Sequence, residues 1–139
     1  MKNPLLLTII ALSIFISGCA NNTTFNDREI NNPKIVELPI DSINEAIQYS
    51  LSLDQVKSEL NKPLEGNMAQ YNKYDWWATA FNQYEYYNNS ERYKDSNYWI
   101  VNWFKGPSAC ESLHGCQIII STNGTIISNL SCSDGWNCE

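Results

Sequence analysis

Four cysteines near the C-terminus, Cys110, Cys116, Cys132 and Cys138, carry the most distinctive chemistry of this 139-residue chain. An even number of cysteines in an exported chain predicts two disulfides. The equal spacing within each neighbouring pair favours the local pairing of Cys110 with Cys116 and of Cys132 with Cys138. The alternative joins Cys116 to Cys132 and Cys110 to Cys138, and it requires a three-residue turn with a bulge between the two strands that carry Cys116 and Cys132.

The other reactive side chains form no recognisable catalytic or metal-binding pattern. His114 is the single histidine, and we expect a solvated loop residue rather than a member of a Ser-His-Asp triad. Glu85, Glu91 and Asp95 could pair as glycosidase carboxylates, but polar loops collect such residues by default. Oxidised cysteines disfavour zinc, and the lack of a Cys-x-x-Cys motif disfavours redox catalysis. We therefore expect a protein that is not an enzyme, with no cofactor and no metal.

The stretch ISGC, residues 16–19, follows an apolar run of thirteen residues, 5–17. A membrane-spanning helix needs about 20 apolar residues, so this run fits a signal peptide better. The stretch resembles the bacterial lipobox, which implies a signal peptide over residues 1–18, cleavage before Cys19 and lipidation of that cysteine. The alternatives are an uncleaved anchor and an ordinary secretion signal with an incidental cysteine.

Lipidation of Cys19 would tether the protein to a membrane without crossing it. Buried acyl chains contribute about 0.8 kcal/mol per methylene, and more than one chain is needed for stable anchoring. Ala20 follows the cysteine, and in a Gram-negative organism lipoproteins with this pattern usually go to the outer membrane. The expected location is therefore the periplasmic face of the outer membrane, with the acyl chains as the contact to the lipid.

The mature chain that cleavage would leave, residues 19–139, is long enough for one domain. Lys2 is the one of the 9 Lys+Arg that precedes Cys19, which leaves 8 against 15 Asp+Glu and a net charge of −7. This acidic balance disfavours nucleic-acid binding, which needs clustered cations. Residues 19–39 have few apolar side chains, so we expect a flexible tether there and a single periplasmic domain over 40–139.

Two short helices are predicted at the start of the domain. Ser42 and Glu45 have the spacing of a capping box, which indicates a helix start at Ser42. Ser52 is predicted to cap a second helix, and Pro63 ends it because the residue before proline avoids the helical region. The apolar stripe of the second helix consists of Leu53, Val56 and Leu60. Each helix therefore has one face to bury.

Strand patterns fill the rest of the chain. Residues 76–87 are rich in aromatic side chains, and 97–105 alternate large side chains between two faces. Residues 116–130 predict a hairpin of β-branched arms around Asn123-Gly124, a favoured two-residue turn. The expected class is α+β, with two short N-terminal helices packed on a three- to four-stranded antiparallel meander that is held by two disulfides.

Residues 43–63 resemble the helical pair of the SmpA/OmlA/BamE group of small outer-membrane lipoproteins, in which a Trp- or Tyr-rich sheet follows. The matching positions are Ser52, Gln55, Val56, Leu60 and Pro63, with Trp76 and Trp77 near the expected tryptophan. Ser50 stands where that group has glycine, and the four cysteines are extra. The resemblance implies a fold similar to β-lactamase-inhibitor-protein repeats. That fold hosts both outer-membrane assembly factors and enzyme inhibitors, so it transfers no binding site.

The strand 97–105 carries large aromatic side chains on both faces. Two short helices can cover one face of a sheet, which leaves the other for solvent or for a partner. We expect the face of Trp99, Val101 and Trp103 to be exposed and to bind a protein, because Trp anchors are common at interfaces. The alternative is that these rings pack under the loop 88–96, under disulfide-bound loops or against a dimer mate.

The sequence therefore predicts an outer-membrane lipoprotein whose periplasmic domain binds another envelope protein, with the outer-membrane assembly machinery as one candidate. A second hypothesis is a lipoprotein inhibitor of a secreted hydrolase such as a lysozyme or a β-lactamase. The acidic surface favours it by steering towards basic lysozymes, but the Ser-Gly-x-Tyr motif of one lysozyme-inhibitor family is absent from the mature chain. The third hypothesis is an envelope-stabilising protein without a soluble ligand.

Overall fold

The computed structural model describes three stretches of the chain, 23–82, 97–107 and 113–136. The signal peptide, Cys19, Cys110 and Cys138 lie outside the described residues, as does most of the loop between the two aromatic strands. The predictions made for those residues stay predictions.

A five-stranded antiparallel sheet forms the centre of the fold, with the strands in chain order. The strands are β1 (Thr23–Phe25), β2 (Trp76–Asn82), β3 (Tyr98–Lys105), β4 (Leu113–Ser121) and β5 (Ile126–Trp136). The mixed helix-and-sheet class and the meander order are confirmed. The sheet has five strands rather than three or four, because β1 comes from the segment that was predicted to be a tether.

The helices precede β2 in the chain. They are α1 (Asp27–Asn31), α2 (Ile43–Ser52) and α3 (Asp54–Leu60), followed by a 3-10 helix at Gly66–Lys73. The predicted capping box of α2 is confirmed, since the Glu45 backbone N–H donates to Ser42 Oγ and the Ser42 N–H donates to the Glu45 carboxylate. Ser52 does not cap α3. It is the last residue of α2, and its hydroxyl donates to the Tyr49 carbonyl at 2.6 Å.

Residues 23–31 belong to the folded domain, so the predicted flexible tether over 19–39 is wrong for this part. Phe25 pairs with Trp76 across β1 and β2, and its ring meets the Trp103 ring edge-on at 5.2 Å. Asn26 and Glu29 form a capping box at the start of α1, and Ile30 is fully buried. Two well-placed apolar side chains and one local cap are therefore enough to order a segment whose composition is mainly polar.

The turn between β4 and β5 decides the disulfide pairing. It closes between Ser121 and Thr125, so it holds three residues rather than two, and Gly124 adopts a φ of 84° there. Two further register shifts along the hairpin place Cys116 directly opposite Cys132. These two cysteines form a disulfide. The favoured local pairing is therefore wrong for both residues.

The main hydrophobic core lies between the helices and one face of the sheet. Helix α2 contacts β2, β3 and β4, and it also packs against α3. The fully buried core side chains of greatest volume are Trp76, Trp103, Ile30, Ile40, Ile47, Leu51, Ile118 and Ile120. Burial of each such side chain contributes about 1.5–3 kcal/mol, so this layer supplies much of the driving force for folding.

Candidate functional site

The face predicted to bind a partner is the core of the protein. Trp99, Val101 and Trp103 are 5%, 0% and 0% exposed. The prediction that this face is open is therefore wrong, and these three residues cannot act as surface anchors in this structure. The physical reason is that α2, although short, lies over the three central strands β2, β3 and β4. Two of these, β2 and β3, carry the tryptophans of this face.

The tryptophans of this face also hold the helical layer by hydrogen bonds. Each indole N–H donates to an acceptor in the chain that covers the sheet. The three bonds run from Trp76 to the Leu60 carbonyl (2.9 Å), from Trp99 to the Ile40 carbonyl (3.0 Å) and from Trp103 to Ser50 Oγ (3.1 Å). Leu60 ends α3, where backbone carbonyls lack partners within the helix. The indole groups therefore satisfy buried acceptors and fix the position of the helices.

Ser50 is a buried polar residue with two hydrogen bonds in the core. Its buried hydroxyl accepts the Trp103 N–H and donates to the Ile47 carbonyl at 2.8 Å. A glycine at this position would leave the Trp103 N–H without its acceptor, and a buried unsatisfied donor costs about 1–3 kcal/mol. The hydroxyl of Ser50 therefore supplies the acceptor that the buried Trp103 N–H needs.

The opposite face of the sheet carries a smaller aromatic cluster. Trp77 and Phe104 stack with their ring centroids 4.4 Å apart, and both are mostly buried. Among the described side chains, the Trp77 indole nitrogen is buried without a hydrogen-bond partner. No residue of a described helix joins this two-residue cluster. Because these rings are mostly covered as well, neither face of the sheet presents an exposed aromatic platform among the side chains that the structure describes.

Strand β5 is the exposed element of the sheet. It has 11 residues and pairs with β4 alone among the described strands, so one of its edges is open. Ile127 and Ile126 on this strand are 55% and 38% exposed. Exposed edge strands present unpaired backbone N–H and C=O groups, which another strand can pair with.

One backbone donor on this edge is occupied. The Leu130 N–H donates to Gln55 Oε1 of α3 at 2.9 Å. The sequence alone gave no reason to connect Gln55 with a strand residue 75 positions away. The bond fixes α3 against β5 and leaves the rest of the edge open within the described residues.

A polar cluster surrounds the disulfide at one end of the sheet. One possible metal-ligand atom from each of Glu59, His114, Cys116 and Cys132 lies within 4.8 Å of the others. His114 Nε2 is 3.8 Å from Cys116 Sγ, and Nδ1 is 2.7 Å from Asp134 Oδ1. The predicted solvated loop histidine is therefore a strand residue with a side chain only 13% exposed.

The signal for this cluster was present in the sequence. His-x-Cys on β4 and Cys-x-Asp on β5 each place two side chains on one face of a strand, because side chains alternate between faces. His114 pairs with Asp134 and Cys116 with Cys132 in the hairpin register. Without that register, the two motifs could not be connected.

Lys62 Nζ lies 2.7 Å from Glu59 Oε2, and Lys105 is a second cation next to this cluster. It pairs with His114 across β3 and β4, and its Nζ lies 5.2 Å from the centroid of the Trp76 ring. Burial lowers the pKa of Lys105 below its ordinary value, while the negative charges of Asp27 and Asp75 raise it in part. Lys105 and Lys62 therefore both supply positive charge next to the acidic side chains of the cluster.

Comparisons of the chain with models of protein families, with curated proteins and with solved structures find no match. Within the stretches that the structure describes, no helix has the length and apolar character needed to cross a membrane.

Proposed function

We propose that this chain is an outer-membrane lipoprotein whose periplasmic domain has a binding role rather than a catalytic one, and that it binds another envelope protein through the open edge of β5. The observation that carries this proposal is the 11-residue length and exposure of β5 at the edge of the sheet. A strand of the partner would add to this edge, with backbone hydrogen bonds giving affinity and the exposed isoleucines giving side-chain contacts.

The composition of β5 favours pairing with another strand. Native edge strands are usually short or protected by charges and proline. Strand β5 contains one charged residue, Asp134, and no proline. Its exposed pair Ile126 and Ile127 adds apolar area that a partner can bury.

The position of the anchor is compatible with binding at β5. Cys19 lies four residues before Thr23, where β1 begins. Strands β1 and β5 are the opposite edges of the sheet, and strand spacing of about 4.8 Å separates them by roughly 19 Å. The acyl chains would therefore attach near one edge of the sheet, and the partner would bind at the other.

The resemblance of residues 43–63 favours outer-membrane assembly machinery as the partner. A secreted hydrolase is the second candidate, since the mature net charge of −7, with 8 Lys+Arg against 15 Asp+Glu once Lys2 is removed, would attract a basic enzyme such as lysozyme. Both candidates require the domain to face the periplasm, and both use binding rather than catalysis.

We also propose a second disulfide between Cys110 and Cys138. Leu113 and Trp136 pair in the β4–β5 ladder, and the two remaining cysteines lie three residues before and two residues after that pair. They therefore leave the hairpin at the same end. An oxidising envelope would favour their pairing.

The proposal predicts crosslinks from β5 in living cells. A photoreactive amino acid in place of Ile127 is expected to give a discrete adduct with an envelope protein, detected by blotting and identified by mass spectrometry. The matched control replaces Ile35, which is 97% exposed but lies outside the sheet. We expect no discrete adduct at position 35.

The identity of the adduct separates the two partner classes. An outer-membrane assembly protein favours the first, and a soluble hydrolase favours the inhibitor hypothesis. In addition, Ile127→Lys places a charge on the strand and should abolish the adduct formed from a probe at Ser131, which lies on the same strand. Equal adducts from positions 127 and 35 would contradict binding through β5.

A further inference from the structure

We propose that the chain binds Zn²⁺ when the Cys116–Cys132 disulfide is reduced, with Cys116 Sγ, Cys132 Sγ, His114 Nε2 and a Glu59 carboxylate oxygen as the ligands. The same two sulfurs would thus connect β4 and β5 either by a covalent bond or through a metal ion. This proposal does not rest on the partner-binding edge proposed above, although Cys132 and Asp134 lie on the same strand.

The four ligand atoms already lie near one another, and the two bonded sulfurs must separate on reduction to reach the spacing of a tetrahedral site. The four atoms lie within 4.8 Å of one another, and zinc bonds of about 2.0–2.3 Å place neighbouring ligand atoms roughly 3.3–3.8 Å apart. His114 Nε2 and Cys116 Sγ are at such a separation, 3.8 Å. The four residues come from α3, β4 and β5, so formation of the site needs small side-chain movements and no change of the fold.

Asp134 supplies the contact that usually orients a zinc-bound histidine. Its Oδ1 lies 2.7 Å from His114 Nδ1. A proton on Nδ1 donated to this carboxylate leaves the lone pair of Nε2 free, on the side of the two sulfurs. Zinc-bound histidines commonly donate their other ring N–H to a carboxylate, which fixes the ring and strengthens the ligand.

The charges around the site are compatible with this ligand set. Two thiolates and one carboxylate around Zn²⁺ leave one negative charge in excess. Two cations can offset that charge: Lys62, whose Nζ lies 2.7 Å from Glu59 Oε2, and Lys105, which pairs with His114 on the neighbouring strand. Cys116 is fully buried, and the other three ligands are partly exposed. Four protein ligands leave no open position, as in structural zinc sites rather than catalytic ones.

The change between the two states balances in electrons and protons. A dithiol reductant transfers two electrons to the Cys116–Cys132 bond, which becomes two thiols while the reductant becomes a disulfide. Zinc binding then releases one proton from each thiol. In the reverse direction, a protein disulfide takes two electrons from the two thiolates, the sulfur–sulfur bond forms again and Zn²⁺ leaves.

The test uses the full chain with Cys19, Cys110 and Cys138 replaced by serine, so that Cys116 and Cys132 are its only cysteines. After phosphine reduction, competition with a chromophoric zinc chelator should show one Zn²⁺ per chain, and Co²⁺ should give thiolate-to-metal charge-transfer absorption. The oxidised chain should bind neither ion. Zinc should also raise the unfolding temperature of the reduced chain.

Matched variants assign the ligands. His114→Ala should abolish the Co²⁺ charge-transfer pattern of a mixed sulfur and nitrogen site, and Asp134→Asn should weaken zinc binding about 10- to 100-fold. Glu59→Gln should weaken it as well, whereas Glu65→Gln, at an exposed position outside the cluster, should not. Circular dichroism of each variant in its oxidised form shows whether it folds, because that form needs no metal.

Two results would overturn the proposal. One is a reduced chain that binds zinc no more tightly than the oxidised chain. The other is zinc binding that His114→Ala, Glu59→Gln and Asp134→Asn all leave unchanged in chains whose oxidised forms are folded, since this would show binding by two cysteines alone.

Discussion

Trp103→Ala is expected to lower the free energy of unfolding by about 3–5 kcal/mol, the range seen for loss of a large buried aromatic side chain. Trp103 is 0% exposed. The substitution removes its edge-on contact with Phe25 and its hydrogen bond to Ser50. Urea unfolding followed by circular dichroism measures the change.

The control for this prediction is Ile35→Ala. Ile35 is 97% exposed, and surface substitutions usually change stability by less than about 0.5 kcal/mol. An exposed anchor at position 103 would behave differently, since its removal would abolish partner binding while the domain kept its stability. A Trp103→Ala protein as stable as the Ile35→Ala protein would therefore contradict the buried position of this side chain.

Cys19→Ser is expected to abolish lipidation and to move the protein entirely from the membrane fraction to the soluble fraction. Serine cannot form the thioether to a lipid, and without buried acyl chains the acidic mature chain has no other evident attraction to anionic lipid. Fractionation of cells, followed by blotting and by metabolic labelling with a fatty acid, measures both location and lipidation.

Asn22→Ser is the matched control, because it introduces the same residue near the same site and leaves residues 16–19 unchanged. It should remain labelled and membrane-bound. A Cys19→Ser protein that stays in the membrane after a high-salt wash would instead support the alternative in which the apolar run 5–17 acts as an uncleaved anchor.

Local signals predicted the local elements of the fold well. The capping box at Ser42 and Glu45 marks the start of α2, and the alternation in residues 97–105 corresponds closely to β3 at Tyr98–Lys105. Strand β1 and helix α1 were missed because their short polar sequences depend on Phe25 and Ile30, whose burial is decided by packing against distant residues.

The sequence of β3 alone could not show which face of the sheet the helices cover. Aromatic side chains on both faces make the two orientations similar in composition. The structure resolves this through tertiary hydrogen bonds, since the acceptors for Trp99 and Trp103 lie more than fifty residues earlier in the chain, at Ile40 and Ser50. Pairings at such separations leave no periodic pattern in the sequence.

The disulfide pairing and the polar cluster both depend on the register between β4 and β5. Turn chemistry at Asn123-Gly124 correctly indicated a hairpin, but the register also depends on irregularities between Gln117 and Ile120 on β4. A shift of one residue turns every side chain to the other face. The pairing of Cys116 with Cys132, and with it the approach of Asp134 to His114, therefore required the folded structure.

The tryptophans on the helical side of the sheet hold the helical layer in place through their indole hydrogen bonds, and this face is therefore internal. The most direct test is a series of single Trp→Phe substitutions at positions 76, 99, 103 and 77, with the free energy of unfolding measured for each. Trp76→Phe, Trp99→Phe and Trp103→Phe should each lower it by about 1–3 kcal/mol, because each leaves a buried acceptor without its donor. Trp77→Phe should cost clearly less, because it removes a donor that has no partner among the described residues. Equal losses at all four positions, or no loss at any, would contradict the claim.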